Sequence, residues 1–108
     1  MPYPTTPDGR YFVSKGRLWR CYDPSLDERE RQRLVVELRD ARRAVKAAKA
    51  SGDDAHMKHA RVAVQAAKVA LGERGAVWWS DGKPDLNRHL VENTVYAQWY
   101  RSLSNPSP

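Results

Sequence analysis

A polar stretch in the C-terminal third of the chain holds the side chains with the greatest potential for chemistry. If the carboxylate of Asp81 or Asp85 lies beside the imidazole of His89, the pair could transfer a proton in general acid–base catalysis. The same stretch can instead form a turn at Asp81, with Asp85 capping a short helix and Arg88 binding backbone carbonyls or Asp85. We favour the turn, because a small chain with few loops offers no obvious substrate cavity.

Basic side chains recur along one side of each of two predicted helices. On the first helix they fall within about 120° of arc, with no acidic residue among them over its second half. If both sets face the same way, they form a positive surface that could contact several phosphates of a nucleic acid. The alternatives are a solvated helix face, an acidic protein or an anionic membrane surface. These residues are Arg39, Arg42, Arg43, Lys46 and Lys49 on the first helix, and Lys58, Arg61 and Lys68 on the second.

Five large aromatic residues lie within 23 residues near the C-terminus: Trp78, Trp79, Tyr96, Trp99 and Tyr100. Such rings can stack on unpaired bases or on a flat ligand, or they can dock a protein partner. The alternative, which we favour, is that they form core. Because Trp78 and Trp79 are adjacent, an extended backbone points them to opposite sides, and one can be exposed while the other is buried.

Metal and cofactor chemistry has little support in the sequence. His56 and His59 share a helix face near Asp53 and Asp54, but no paired motif supplies further ligands, so we expect solvated histidines. The single cysteine, Cys21, excludes a disulfide framework and a multi-cysteine zinc site. No phosphate-binding glycine loop, nucleophile elbow or cysteine–histidine signature is present. We therefore expect no catalytic residue, no metal and no cofactor.

Length and charge narrow the class of protein. The chain has 108 residues, 41% of them hydrophobic, and a net charge of +6. This length predicts a single domain over residues 1–108 with one modest core. No apolar run reaches the roughly 18 residues that a membrane span needs. The first residues lack the basic and apolar regions of a signal peptide, so we expect a cytoplasmic protein. The positive charge favours a polyanion as partner.

Two amphipathic helices are predicted over residues 26–50 and 53–72. Ser25 or Asp23 can cap the first helix, and Asp53 can cap the second. Apolar residues on both follow the alternating three- and four-residue spacing of helices that lie along one another, which predicts a long antiparallel helical hairpin. The two seams are Leu34, Leu38, Ala41, Val45 and Ala48 on the first helix, and Met57, Ala60, Val64, Ala67 and Leu71 on the second.

The second helix carries further apolar residues opposite its seam, namely Ala55, Val62, Ala66 and Val69. A helix that is apolar on two sides is expected to be covered on both. The cover could come from the N-terminal β-hairpin, from the C-terminal aromatic residues, or from a second copy of the chain in a homodimer.

The segments flanking the helices complete a mainly α (α+β) fold. They are a mobile lead-in (1–9), a β-hairpin (10–21), a Trp-rich C-terminal segment (76–103) and a tail (104–108). The hairpin is predicted to turn at Lys15-Gly16. Asp85 and Thr94 are expected to cap short C-terminal helices. We expect the β-hairpin and these helices to pack on the helical hairpin, because an isolated two-stranded hairpin is marginal in water.

Two strings in this chain carry a resemblance to a known group of proteins. They are DGRYFVSKGRLWRCYDPSL near the N-terminus and GAVWWSDGKPDLNRHLVENTVYAQWY near the C-terminus, with the Ala/Arg-rich helical pair between them. The chain thereby resembles a group of short hypothetical proteins from Proteobacteria. The resemblance implies a bacterial, stand-alone protein, and it carries over no functional residues.

Three hypotheses of function follow from these features. The leading one is a non-enzymatic cytoplasmic protein that contacts nucleic acid through the basic helical residues. The alternative is an adaptor whose aromatic C-terminal face docks a protein partner. The third is a small ligand binder or enzyme built around Asp81, Asp85, Arg88 and His89.

Overall fold

The computed structural model describes residues 3–104, which form two compact units. One, the helical unit, is Tyr22–Trp78, and the other, the terminal unit, joins the described residues up to Cys21 to those from Trp79 onward. The elements are strands β1 (Tyr11–Ser14) and β2 (Arg17–Arg20), helices α1 (Glu28–Ser51) and α2 (Asp54–Leu71), a 3-10 turn (Val91–Asn93) and helix α3 (Ala97–Ser104). The predicted mainly helical α+β class is confirmed. Residues 1, 2 and 105–108, including most of the predicted tail, lie outside the description.

The helical unit is held together by the two predicted seams, which face each other. Its core cluster consists of Leu34 and Leu38 from α1 and Ala67 and Leu71 from α2. Ala41, Ala48 and Ala60 are also buried, while Val45, Val64 and Met57 are half-buried. Burying a leucine side chain contributes about 2 kcal/mol, and the alanines let the two backbones approach closely.

The ends of the helices follow the sequence signals only in part. Asp53 caps α2 as predicted, because its carboxylate accepts a hydrogen bond from the backbone N–H of His56 at 3.0 Å. The predicted caps of α1 are wrong, since Asp27 is the residue that precedes the helix. The carboxylate of Asp23 instead accepts hydrogen bonds from the N–H and hydroxyl of Ser25. Because Asp23 and Ser25 bind each other in this local turn, neither caps α1, and the helix begins at Glu28.

The second apolar side of α2 is exposed. Val62 is 62% accessible and Val69 is 44% accessible, and Ala55 and Ala66 are exposed as well. Within residues 3–104 these four side chains are classed as exposed, contrary to the expectation of a helix covered on both sides. Cover by a second copy remains a prediction.

The terminal unit is built around the β-hairpin, whose strands pair antiparallel with Tyr11 opposite Arg20. The predicted turn at Lys15-Gly16 is confirmed. Both residues have positive φ, 54° and 77°, which gives the turn a twist that suits the paired strands.

Segments from both ends of the chain cover the two edges of this hairpin. Pro4 accepts a hydrogen bond from the N–H of Val13, and the N–H of Thr6 donates to Tyr11, so part of the expected mobile lead-in is paired with β1. On the other edge, the N–H of Leu18 donates to His89 and that of Val91 donates to Gly16. Covered edges give the marginal hairpin the neighbours that its stability requires.

The C-terminal segment contains less helix than its capping residues predict. Asp85 begins no helix, because its carboxylate accepts from the backbone N–H of Asn87 and from the Arg20 guanidinium instead. Thr94 follows the 3-10 turn, and its hydroxyl oxygen accepts from the N–H of Tyr96, just before α3 begins at Ala97. None of the helices within residues 3–104 combines the length and the apolar character needed to cross a bilayer.

Two glycines at helix C-termini provide a matched stability test. Gly52 and Gly72 both have left-handed φ, 74° and 89°, but a Cβ at Gly72 would lie 3.0 Å from Asp23 and from the Trp78 ring, whereas one at Gly52 would meet nothing within 4 Å. We expect Gly52→Ala to lower the free energy of unfolding by about 1 kcal/mol and Gly72→Ala by about 2–4 kcal/mol. Urea denaturation measures both, and equal losses would contradict the close packing around Gly72.

Candidate functional site

The basic residues of the two helices meet on one side of the helical unit. Arg42 of α1 and Arg61 of α2 line the same groove, together with Arg74 beyond the end of α2. We call this the arginine groove. It has a volume of about 520 Å³, and its other lining residues are Val45, Val64 and Gln65. Because seam residues form its wall, the packing that joins the helices also brings their basic flanks together.

The guanidinium groups of the groove differ in how they are engaged. Arg74 donates a hydrogen bond to the Gln65 side-chain oxygen at 2.7 Å, which holds it against α2. Arg42 and Arg61 are exposed, and the structure records no ion pair for either of them within residues 3–104. The groove thus holds two arginines from different helices without a recorded ion pair, although the charge of Arg42 also acts on Glu73.

The rest of the predicted basic residues extend the positive surface along both helices. Residues 39–68 contain eight lysines and arginines against three aspartates, so they carry +5 of the net charge of +6. Lys46, Lys49 and Lys58 are exposed, and Lys68 is half-buried. We call these eight basic residues together with Arg74 the basic face. They are Arg39, Arg42, Arg43, Lys46, Lys49, Lys58, Arg61 and Lys68.

Acidic side chains weaken two parts of the basic face. Asp40 lies 3.7 Å from Arg39 and 4.0 Å from Arg43, so these arginines are partly neutralised, which the sequence analysis did not anticipate. Burial raises the pKa of Glu73, and the charges of Lys68, Arg42 and Arg74 oppose this effect without cancelling it. Glu73 therefore lies within electrostatic range of the arginine groove.

The opposite side of the helical pair has a different character. A groove there is lined by Ala63, Ala66 and Ala70 of α2 and by Glu37 and Asp40 of α1. Arg33, which also lines it, is held by ion pairs with Glu30 and Glu37. Glu37 and Asp40 thus line a groove on one flank of α1, whereas Arg42 lines the arginine groove on the other.

Arg20 is a buried, ion-paired arginine that was not predicted from the sequence. Its side chain is 0% exposed, its guanidinium lies 3.0 Å from the Asp85 carboxylate, and it packs 5.9 Å from the Trp79 ring centre. Its backbone N–H donates to Asn87 at 2.9 Å. The signal was available, because Arg20 shares a face of β2 with Leu18, and a strand face that buries one residue buries the next.

A second arginine packs on the same tryptophan. The Arg10 guanidinium lies 4.8 Å from the Trp79 ring centre and binds both carboxylate oxygens of Asp81. Hydrogen bonding from Arg10 holds the pKa of Asp81 below its ordinary value. The indole N–H of Trp79 donates to the carbonyl of Lys83 at 2.8 Å. Trp79 is therefore a buried core residue that orders the loop after it.

The other predicted interaction residues do not form one site, because each makes different contacts. His89 is exposed, while Asp81 and Asp85 bind arginines, so the carboxylate–imidazole pair is not formed. Arg88 is exposed and its carbonyl accepts from Arg17 at 2.8 Å. Trp78 is half-buried, as are Trp99 and Tyr100, whose rings lie 6.4 Å apart.

No group of three or more metal-ligating side chains occurs among residues 3–104. His56 and His59 are both exposed at the start of α2.

Comparison with known proteins gives no functional lead. No protein-family model matches the chain, and neither a curated protein nor a solved structure shows significant similarity to it. The resemblance to short proteobacterial proteins therefore stays a prediction.

The buried Arg20–Asp85 pair predicts an asymmetry between two neighbouring aspartates. Asp85→Asn removes the charge partner of a buried guanidinium, and we expect a loss of about 2 kcal/mol, less than for a fully buried pair because Asp85 is 42% exposed. Asp81→Asn removes the partner of Arg10, whose side chain is 15% exposed and so keeps some contact with water, and this change should cost less. Thermal and urea unfolding of both variants test this. An equal or smaller loss for Asp85→Asn would contradict it.

Proposed function

We propose that this protein is a non-enzymatic, cytoplasmic nucleic-acid-binding protein that contacts phosphates through the basic face of its helical unit. The observation that carries the proposal is the convergence of Arg42 and Arg61, from two different helices, on one groove with Arg74. A solvated helix face needs only scattered charges, whereas a phosphate site needs several cations aimed at one place.

The chemistry of the groove fits a phosphodiester backbone. Arginine presents a planar fork of donors that matches phosphate oxygens, and it is less strongly hydrated than lysine. The apolar walls supplied by Val45 and Val64 reduce solvent screening close to the guanidinium groups. The lysines farther along α1 and α2 would add contacts to neighbouring phosphates, each releasing counterions from the nucleic acid.

The groove favours binding that does not depend on base sequence. Among the described residues that line it, Gln65 supplies the uncharged polar side chain, and Arg74 donates a hydrogen bond to it. Trp79 is buried, so this ring is not offered to unpaired bases. Phosphate contacts position a protein on nucleic acid but read no sequence.

Fewer observations support the adaptor hypothesis. Trp99 and Tyr100 are half-buried, and Leu103 on the same short helix is exposed. These residues could dock a protein partner, and the exposed side of α2 could do so for a second copy of the chain. Neither surface shows the convergence of matched groups that the arginine groove does.

Neutralising the groove tests the proposal. Arg42→Gln combined with Arg61→Gln should weaken oligonucleotide binding roughly tenfold and reduce the slope of log K against log salt by about 1.8, or about 0.9 per lost phosphate contact. Fluorescence anisotropy with labelled single- and double-stranded DNA and RNA measures both quantities. The control, Lys15→Gln with Arg29→Gln, removes the same charge from exposed positions outside the basic face. If both double variants bind alike, net charge rather than the groove is responsible.

Removing a carboxylate should have the opposite effect. Glu73→Gln abolishes the negative charge that interacts with Arg42, Lys68 and Arg74, so we expect a few-fold gain in affinity for the same oligonucleotides. Glu30→Gln is the matched control, because Glu30 pairs with Arg33 on the other flank of α1. Unchanged or weaker binding by Glu73→Gln would place the nucleic acid elsewhere.

A further inference from the structure

The terminal unit contains a partly enclosed cavity of about 690 Å³. No residue of the basic face lines it. Its size falls within the range of small-molecule sites. Tyr11 and Tyr96 form an aromatic wall, with their rings edge to face and centres 5.7 Å apart. Pro84 and Leu86 extend this apolar surface. Val95, at the rim, is 86% exposed, which leaves an apolar side chain beside the opening.

The carboxylate of Asp8, which lines the cavity, already has hydrogen-bond donors within the protein. The carboxylate of Asp8 accepts hydrogen bonds from the hydroxyls of Tyr96 at 2.6 Å and Thr6 at 2.7 Å, and from the backbone N–H of Arg10 at 3.2 Å. Partial burial alone would raise the pKa of Asp8, but these bonds outweigh it and hold the pKa below its ordinary value. Asp8 therefore stays ionised and has no proton to donate.

Two further polar side chains line the cavity, and one of them, that of Lys83, acts on Asp81 through its charge alone. The guanidinium of Arg10 is held by Asp81. In contrast, no hydrogen bond or ion pair is recorded within residues 3–104 for the Lys83 ammonium or the Asn93 carboxamide, both of which line the cavity. The lining groups without a recorded side-chain hydrogen bond or ion pair are thus a cation and a carboxamide, while the Asp8 carboxylate already accepts three hydrogen bonds.

We infer that this cavity binds a small organic carboxylate with an apolar or aromatic body, whose acid group is held by Lys83 and Asn93. The apolar body lies against Tyr11, Tyr96 and Leu86 and covers Val95. The fixed negative charge of Asp8 sets the orientation, because it repels the ligand's carboxylate from the Tyr96 side. This inference is independent of the proposed nucleic-acid binding, since the cavity and the basic face share no residue.

A matched set of probes tests the inference on the full chain. We would titrate isotope-labelled protein with 2-naphthoate, 2-naphthamide and 2-naphthylmethylamine, which share one aromatic body and differ in charge, and follow backbone amide shifts by NMR. We expect the carboxylate to bind most tightly, with shifts concentrated at Leu86 and residues 93–96.

Two variants separate the acid-binding groups from the apolar body. Lys83→Gln and Asn93→Asp should each weaken 2-naphthoate by about fivefold, the size of one exposed charge interaction, and leave 2-naphthamide unchanged. Lys15→Gln, in the same unit but outside the cavity, should change neither. The inference is overturned if no probe shifts the cavity residues, if the amide or amine binds as tightly as the carboxylate, or if both cavity variants bind 2-naphthoate normally.

Discussion

The packing of Leu34 and Leu38 on Ala67 and Leu71 is the constraint on which the helical unit depends. Once these residues face each other, the rotation of both helices is fixed, and so is every residue on their flanks. Arg42 and Arg61 come to one groove for this reason, and Glu37 and Asp40 to the other. The meeting of Arg42 and Arg61 in one groove is thus a consequence of an apolar seam, with small alanines keeping the helices close.

The terminal unit is organised around a different interaction, a buried charge. Arg20 is enclosed with its guanidinium on Asp85, and Trp79 packs on both Arg20 and Arg10. A guanidinium removed from water is tolerated only with partners of good geometry, so the loop after Trp79 has to return to the β-hairpin. That return pairs residues 88–91 with β2 and leaves the cavity beside Tyr11 and Tyr96.

Local and periodic signals in the sequence predicted much of this arrangement. The spacing of Leu34, Leu38, Ala67 and Leu71 predicts the helical hairpin, and Lys15-Gly16 predicts the turn between the strands. Such local signals do not predict contacts between residues that are far apart in the chain. Asp85 has the features of a helix cap, and only the fold brings it to Arg20, 65 residues away in the chain. The cavity was missed for the same reason, because residues 8–11 and 83–96 that line it are distant in sequence.

We propose that the basic face binds nucleic acid through several phosphates at once. The most direct test of this proposal is the affinity of the unmodified, nuclease-treated protein for single- and double-stranded oligonucleotides, measured by fluorescence anisotropy across a range of salt concentrations. We expect binding in the micromolar range or tighter, with log K falling steeply and linearly against log salt. Absence of binding at low salt would contradict this proposal and would mean that the positive charge serves solubility alone.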